Sequence, residues 1–194
     1  MRTIFKLSMV MGMIVMTNLA VAVELLPVLE VAVVDAKKVK VSIMNAKGNT
    51  LSILDHKQSV YYQQEIADET FVKSFDFEVL PAGEYVLESR NEYKLDTYRL
   101  TISNEGLVVA DVETVYYPSV TKRGEMVYVN LFTDDLEPLN IEIYNRNDQL
   151  IYQERLTGSE NNGQIFDFSK SPAGDYKFLV ANHGNVTVKS IKID

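Results

Sequence analysis

One segment of this chain occurs twice. FDFEVLPAGEYVLE at residues 75–88 aligns with FDFSKSPAGDYKFL at residues 166–179 at an offset of 91 (166 − 75). The alignment superimposes two phenylalanines and an Asp, Pro, Ala, Gly and Tyr at identical spacing. Such a match at constant spacing indicates an internal duplication. The chain is therefore expected to fold as two similar domains rather than one large domain.

A second pair of segments aligns at a different offset. KVKVSIMNAKG (38–48) matches LNIEIYNRND (139–148) at an offset of 100 (139 − 39), and the difference (100 − 91) predicts nine extra residues in the first copy, near HKQSVYYQQ. The links NAKG and NRND predict tight hairpin turns, because asparagine and glycine tolerate positive φ.

Both copies have the period-two alternation of β-strands. Val39, Val41 and Ile43 alternate with polar residues in the first copy, as Leu139, Ile141 and Ile143 do in the second. Several further short apolar runs follow at close spacing, which is typical of a β-sandwich. We predict an all-β protein with two tandem immunoglobulin-like antiparallel β-sandwich domains. The predicted boundaries are 1–22 for a signal peptide, 23–110 for the first domain and 111–194 for the second.

The PAGxY motif in each copy predicts a structural corner. Proline and glycine suit the second and fourth positions of a type I turn spanning residues 80–83. A tyrosine two residues before a buried core position of the next strand is typical of the tyrosine corner of immunoglobulin-like domains. The predicted corner residues are Pro81, Gly83 and Tyr85, with Pro172, Gly174 and Tyr176 in the second copy.

The first residues have the pattern of a secretory signal peptide. Arg2 and Lys6 precede an apolar run, and Ala20-Val21-Ala22 offers a cleavage site. The run is too short for a membrane-spanning helix, so no direct membrane anchor is expected. An exported protein follows, located in the periplasm, at the cell surface or outside the cell. With no cysteine in the chain, it has neither a disulfide framework nor a lipidated cysteine.

The charge of the mature chain argues against nucleic acid as a partner. Without Arg2 and Lys6, 17 basic residues face 27 acidic ones, a net charge of −10 (17 − 27). Phosphate backbones are bound by clusters of Lys and Arg. The basic pair Lys122-Arg123 is only two residues long and is interpreted as a solvated turn.

Residues that could perform catalysis or bind a metal are sparse. His56 and His183 fall in different copies, and Asp134, Asp135 and Glu137 lack the spacing of a calcium loop. We therefore expect no catalytic residue, no metal site, no cofactor and no enzymatic activity.

Tyrosine is the residue type most suited to binding here. Eleven tyrosines occur without any tryptophan, and two adjacent pairs are the candidates for exposure: Tyr61, Tyr62, Tyr116 and Tyr117. Exposed aromatic rings can stack on sugars or anchor protein interfaces. Ordinary strand preference for tyrosine is the alternative explanation.

The second copy resembles a known family. IEIYNRNDQLIYQERL, FDFSKSPAGDYKFLV and the terminal VTVKSIKI are similar to the C-terminal sorting domains of Bacteroidota proteins exported by the type IX secretion system, and to related secreted repeat domains. The resemblance covers residues 126–194 well and 30–102 more loosely. It implies an extracytoplasmic location and no catalysis by these domains.

Two functions are compatible with these features. The first is a noncatalytic tandem β-sandwich protein that acts as an interaction or structural module of the cell envelope, bound to an envelope protein or a glycan. The alternative is a secreted cargo whose C-terminal domain is a sorting or attachment signal for the type IX system.

Overall fold

The chain forms two compact units of β-structure. The computed structural model describes residues 14–16 (backbone only), 26–131, 138–157, 163–182 and 184–194. One unit spans residues 22–116, and the other spans 117–194 together with the N-terminal strand at 14–16. Residues 111–116, placed in the second domain by the sequence, belong to the first unit, where Glu113–Tyr116 form a strand on one of its sheets. The residues of the predicted signal peptide, 1–22, lie outside the described residues except for 14–16.

The first unit has two antiparallel sheets. The smaller sheet has the order β2-β3-β6, and the larger has β5-β4-β7-β8, with β9 and β10 both pairing with β8. The bounds are β2 Val28–Asp35, β3 Lys38–Met44, β4 Thr50–Asp55, β5 Val60–Glu65, β6 Thr70–Asp76, β7 Gly83–Arg90, β8 Lys94–Ile102, β9 Leu107–Val109 and β10 Glu113–Tyr116.

The second unit repeats this arrangement. One sheet has the order β11-β12-β15, extended by β1 on the free side of β15, and the other has β14-β13-β16-β17. The bounds are β1 Ile14–Met16, β11 Ser119–Arg123, β12 Met126–Asn130, β13 Leu139–Tyr144, β14 Leu150–Leu156, β15 Gly163–Asp167, β16 Gly174–Asn182 and β17 Asn185–Ile193. The predicted pair of immunoglobulin-like sandwiches is confirmed.

Alternating side chains from both sheets form each core. In β3 the inward residues Val39, Val41 and Ile43 are fully buried, whereas the residues between them are at least partly exposed. They belong to a cluster that also includes Leu51 and Leu87 of the facing sheet. This alternation is why the segment forms a half-buried strand rather than a helix.

Strand pairing corrects the alignment of the two copies. Ile53 of β4 lies opposite Leu87, and Ile143 of β13 lies opposite Phe178, so β4 and β13 are equivalent. The offset of 100 had matched β13 with β3 instead. β3 and β4 have the same alternation, and pattern alone does not distinguish two strands that belong to different sheets.

The turns show the same correction. Asp55 and Asn145 each accept hydrogen bonds from the backbone amides two and four residues further on. Gln58 and Asp148 then take positive φ, 65° and 55°. Residues 55–59 and 145–149 thus form equivalent hairpin turns of equal length. The nine-residue insertion predicted for the first copy is therefore wrong. NRND forms the predicted hairpin, but NAKG connects β3 to β4 across the two sheets.

The two corner tyrosines make the same hydrogen bond. The Tyr85 hydroxyl donates to the Pro81 carbonyl at 3.0 Å, and the Tyr176 hydroxyl donates to the Pro172 carbonyl at 2.8 Å. Both rings are buried. Each bond joins the start of a core strand to the chain that enters it, which is the geometry of a tyrosine corner.

The reverse turn beside each corner lies three residues earlier than expected. Its closing hydrogen bond joins the Phe77 carbonyl to the Leu80 amide, at 3.1 Å. The Asp76 carboxylate accepts from the Glu78 amide and stabilises this turn, as short polar side chains do. Gly83 follows with a φ of 158°, which favours glycine.

We expect Tyr85→Phe and Tyr176→Phe each to lower the free energy of unfolding by about 1 kcal/mol, because each leaves a carbonyl without its hydroxyl donor. Urea unfolding of each variant measures the change. Tyr61→Phe is the matched control, since none of the hydrogen bonds found among the described residues involves its hydroxyl. Equal stability of all three variants would contradict the structural role of the corner.

Candidate functional site

The three candidate tyrosines of the first unit do not form one site. Tyr61 and Tyr62 lie on β5, whereas Tyr116 ends β10, at the opposite edge of the same sheet. Tyr117 is the first residue of the second unit, and both Tyr116 and Tyr117 are half-buried. Adjacency in sequence therefore did not indicate a shared surface.

Tyr61 is the most exposed of the four, at 48%. It lies at a β-bulge, because β5 places Val60 and Tyr62 opposite successive residues of β4. A bulge redirects side chains locally. The Tyr61 ring meets the Tyr85 ring edge-on at a centroid distance of 5.6 Å, so one edge of it is supported by the corner.

Tyr62 packs within the sandwich. Its ring meets the Phe75 ring edge-on at 4.8 Å, across the side where the edge strands of the two sheets, β5 and β6, face each other. The Tyr62 hydroxyl donates to Gln64 and accepts from Lys73 Nζ at 3.1 Å. The Lys73 ammonium also lies 4.4 Å from the Tyr62 ring centroid, a cation–π distance. Tyr62, Gln64, Lys73 and Phe75 are called the first cluster below.

The second unit has the same arrangement with different polar partners. The Tyr152 ring meets the Phe166 ring edge-on at 5.1 Å, across β14 and β15. The Tyr152 hydroxyl donates to Glu154 and accepts from Gln164 Nε2 at 3.1 Å. Gln164 Nε2 also donates to Glu154 at 2.9 Å. Tyr152, Glu154, Gln164 and Phe166 are called the second cluster.

Register shows that the clusters are equivalent residue by residue. Tyr62 lies opposite Ile53 as Tyr152 lies opposite Ile143, and Phe75 lies opposite Val39 as Phe166 lies opposite Val127. Lys73 of the first cluster therefore corresponds to Gln164 of the second. The sequence analysis missed both clusters because its offset for the upstream block was wrong. When the two copies are aligned through their hairpin turns at 55–59 and 145–149, Tyr62 and Tyr152 coincide.

Electrostatically the second cluster favours a neutral tyrosine. Burial, followed by the hydrogen bond to Glu154 and the charge of that carboxylate, raises the pKa of Tyr152 well above its ordinary value. A hydroxyl held protonated in this way is a hydrogen-bond donor rather than a base or nucleophile. Gln164 is buried, and its Oε1 atom has no hydrogen-bond partner among the described residues.

Other candidate chemistry is limited. Within the described ranges, no group of three or more His, Asp and Glu side chains is placed to hold a metal ion. His183, Asp134, Asp135 and Glu137 lie outside those ranges. No helix among the described residues is long and apolar enough to cross a membrane.

Residues 117–194 match a family model described as the secretion system C-terminal sorting domain. The resemblance found in the sequence is confirmed for these residues, which form the second unit. A sorting domain of this kind implies an exported protein with an extracytoplasmic location. A search of curated proteins returned no match.

Three similar solved structures share low identity with this chain. A biofilm-associated protein BSP domain is 12% identical with a TM-score of 0.29; the match covers 85% of this chain and 29% of that one. A two-domain fibronectin type III segment of chicken tenascin is 10% identical with a TM-score of 0.29, covering 85% and 97%. The FN1–FN3 domains of chicken CNTN1 are 11% identical with a TM-score of 0.27, covering 81% and 60%.

The raised pKa of Tyr152 predicts an alkaline effect on stability. Because the folded pKa of Tyr152 exceeds the ordinary tyrosine value of 10.0, the resulting stabilisation is complete below pH 10 and is lost as the pH rises through the folded pKa. The free energy of unfolding should therefore fall more steeply above pH 10 in the wild type than in Tyr152→Phe. Chemical unfolding at a series of alkaline pH values measures both slopes.

Glu154→Gln provides the matched control, because it removes the carboxylate and keeps the size of the side chain. Its slope should lie between those of the wild type and Tyr152→Phe. Identical slopes for all three proteins would show that the cluster does not control this ionisation.

Proposed function

We propose that this chain is an exported, noncatalytic protein whose second unit is the address read by a type IX secretion system. The first unit is then the delivered binding module. The observation that carries the proposal is the match of residues 117–194, all of the second unit except its N-terminal strand, to a C-terminal sorting domain. This favours the sorting alternative for the second unit and leaves the envelope-interaction role to the first.

The use of polar groups supports a noncatalytic role. In the first unit, the buried Asp96 carboxylate is paired with Lys94 at 2.7 Å and accepts from the Thr114 hydroxyl at 2.7 Å, which ties β10 to β8. In the second unit, Glu154 and Gln164 are bonded to Tyr152. These groups are engaged in holding strands together.

Tyr61 is the residue through which the first unit would bind an envelope protein or a glycan. Its exposed ring is held in place by the Tyr85 ring beneath it, so little conformational freedom is lost when a partner stacks on it. Val60, also exposed, extends the apolar area next to it. Tyr116 and Tyr117 are secondary candidates because both are half-buried.

Deletion of each unit in the cell tests the sorting role. A chain that lacks residues 117–194 should be exported across the inner membrane and remain in the periplasm. A chain that lacks residues 23–116 should still reach the surface or the medium. Immunoblots of periplasm, outer membrane and medium measure both outcomes.

Intact mass provides an independent measurement. A product beginning at Val23 would show cleavage after Ala22, and loss of the second unit at the surface would show that the address is removed on export. A full-length 23–194 product, with export unaffected by deletion of residues 117–194, would contradict the sorting role.

Tyr61→Ala should weaken binding of the purified protein to isolated cell envelopes by about tenfold, as expected for an aromatic anchor. Ile151→Ala is the matched control, because Ile151 occupies the equivalent bulge of the second unit. Co-sedimentation with envelopes measures binding. Equal losses in both variants would argue against a specific contact at Tyr61.

A further inference from the structure

The free side of strand β15 carries an added strand from the N-terminal segment. β1 pairs with β15 in antiparallel register, with Ile14 opposite Asp167, Val15 opposite Phe166 and Met16 opposite Ile165. Without β1, β15 would be the edge of its sheet. The three residues of β1 lie in the segment that cleavage after Ala22 would remove.

The equivalent strand of the first unit is protected in a different way. β6 carries Lys73 in its centre, exposed, with Ser74 next to it, also exposed. A lysine on an edge strand opposes pairing with a further strand, because a neighbour would have to bury its charge. At the same two positions β15 has Gln164 and Ile165, both uncharged and both buried. The edge of β6 therefore carries a central charge that opposes strand pairing, whereas the edge of β15 does not.

Ile165 strengthens this contrast. Phe166 points into the core, so Ile165 lies on the opposite face of the sheet, yet it is only 4% exposed. Both faces of β15 are thus covered in this state of the chain. A strand with apolar residues on both faces, no charge at its centre and one unpaired edge is a site for strand addition.

We propose that β15 is a strand-acceptor site: β1 fills it while the N-terminal segment is attached, and removal of that segment opens it to an extended, uncharged apolar strand of a partner protein. The inference rests on the cleavage in the proposed function and adds a mode of recognition for the second unit. Main-chain hydrogen bonds between β15 and the partner strand would supply affinity. Contact of the partner's side chains with Ile165 would supply specificity.

A second copy of the chain fits the site less well. The mature chain has a net charge of −10 (17 − 27), which opposes self-association. An uncharged strand avoids this repulsion.

Peptide binding to the mature chain, residues 23–194, tests the proposal. The probe is a labelled peptide of residues 11–19, MGMIVMTNL, with a polar solubilising tail. Fluorescence anisotropy should show saturable binding, and hydrogen exchange should show new protection within residues 163–167. In the full-length chain the same amides should be protected without peptide. A Val15→Pro peptide, which lacks an amide donor, should bind more weakly.

Gln164→Lys is the decisive variant, because it gives β15 the lysine that β6 carries at the same position. The first cluster shows that a lysine there is compatible with the fold. Binding of the peptide should weaken by about tenfold or more, because a lysine on an edge strand opposes pairing with a further strand. Ser74→Lys on β6 is the matched control and should leave binding unchanged.

Absence of protection within residues 163–167 would overturn the proposal, as would equal loss of binding in Gln164→Lys and Ser74→Lys. Concentration-dependent dimerisation that protects these amides without peptide would overturn the partner assignment in favour of a second copy. Binding is measured on purified protein, so its failure is distinguishable from a failure of export in cells.

Discussion

The core of each unit depends on side chains that cover the open side between the edge strands of its two sheets. Two facing sheets bury their inner faces against each other, but the edge strands leave a gap through which water could reach the core. In both units a tyrosine from one sheet, on β5 or β14, meets a phenylalanine from the other sheet, on β6 or β15, across that gap, at centroid distances of 4.8 and 5.1 Å. The ring excludes water and its hydroxyl stays bonded to polar groups at the rim, as an amphipathic side chain allows.

Both copies have this tyrosine–phenylalanine contact, but the polar residues beside it differ. Lys73 presents a charge at the rim of the first unit, whereas Gln164 at the same place is buried beside Glu154. The edges of β6 and β15 thus differ at this position and at the next, where β6 has Ser74 and β15 has Ile165. Divergence at this position agrees with the different roles proposed for the two units.

Much of this was predictable from local patterns. The alternation in β3 and β13, the hairpin turn at 145–149 and the tyrosine corners each depend on a few neighbouring residues, so their signal is present in a short segment. Equivalence between strands was not predictable in the same way. β3 and β4 carry nearly the same alternation, and only their pairing partners, β2 and β6 or β5 and β7, show to which sheet each belongs.

The candidate site shows the same division. Composition indicated that tyrosine was the residue type to follow, but exposure could not be inferred from adjacency, and Tyr62 proved to be part of the sandwich while Tyr61 remained accessible. The sequence by itself determined a cysteine-free duplication of one β-sandwich, because composition, duplication and alternation are properties of the linear chain. The clusters that close each side, the turn beside each corner and the pairing of β1 with β15 were decided only by tertiary structure, since each joins residues whose separation along the chain is bridged by strand pairing or packing.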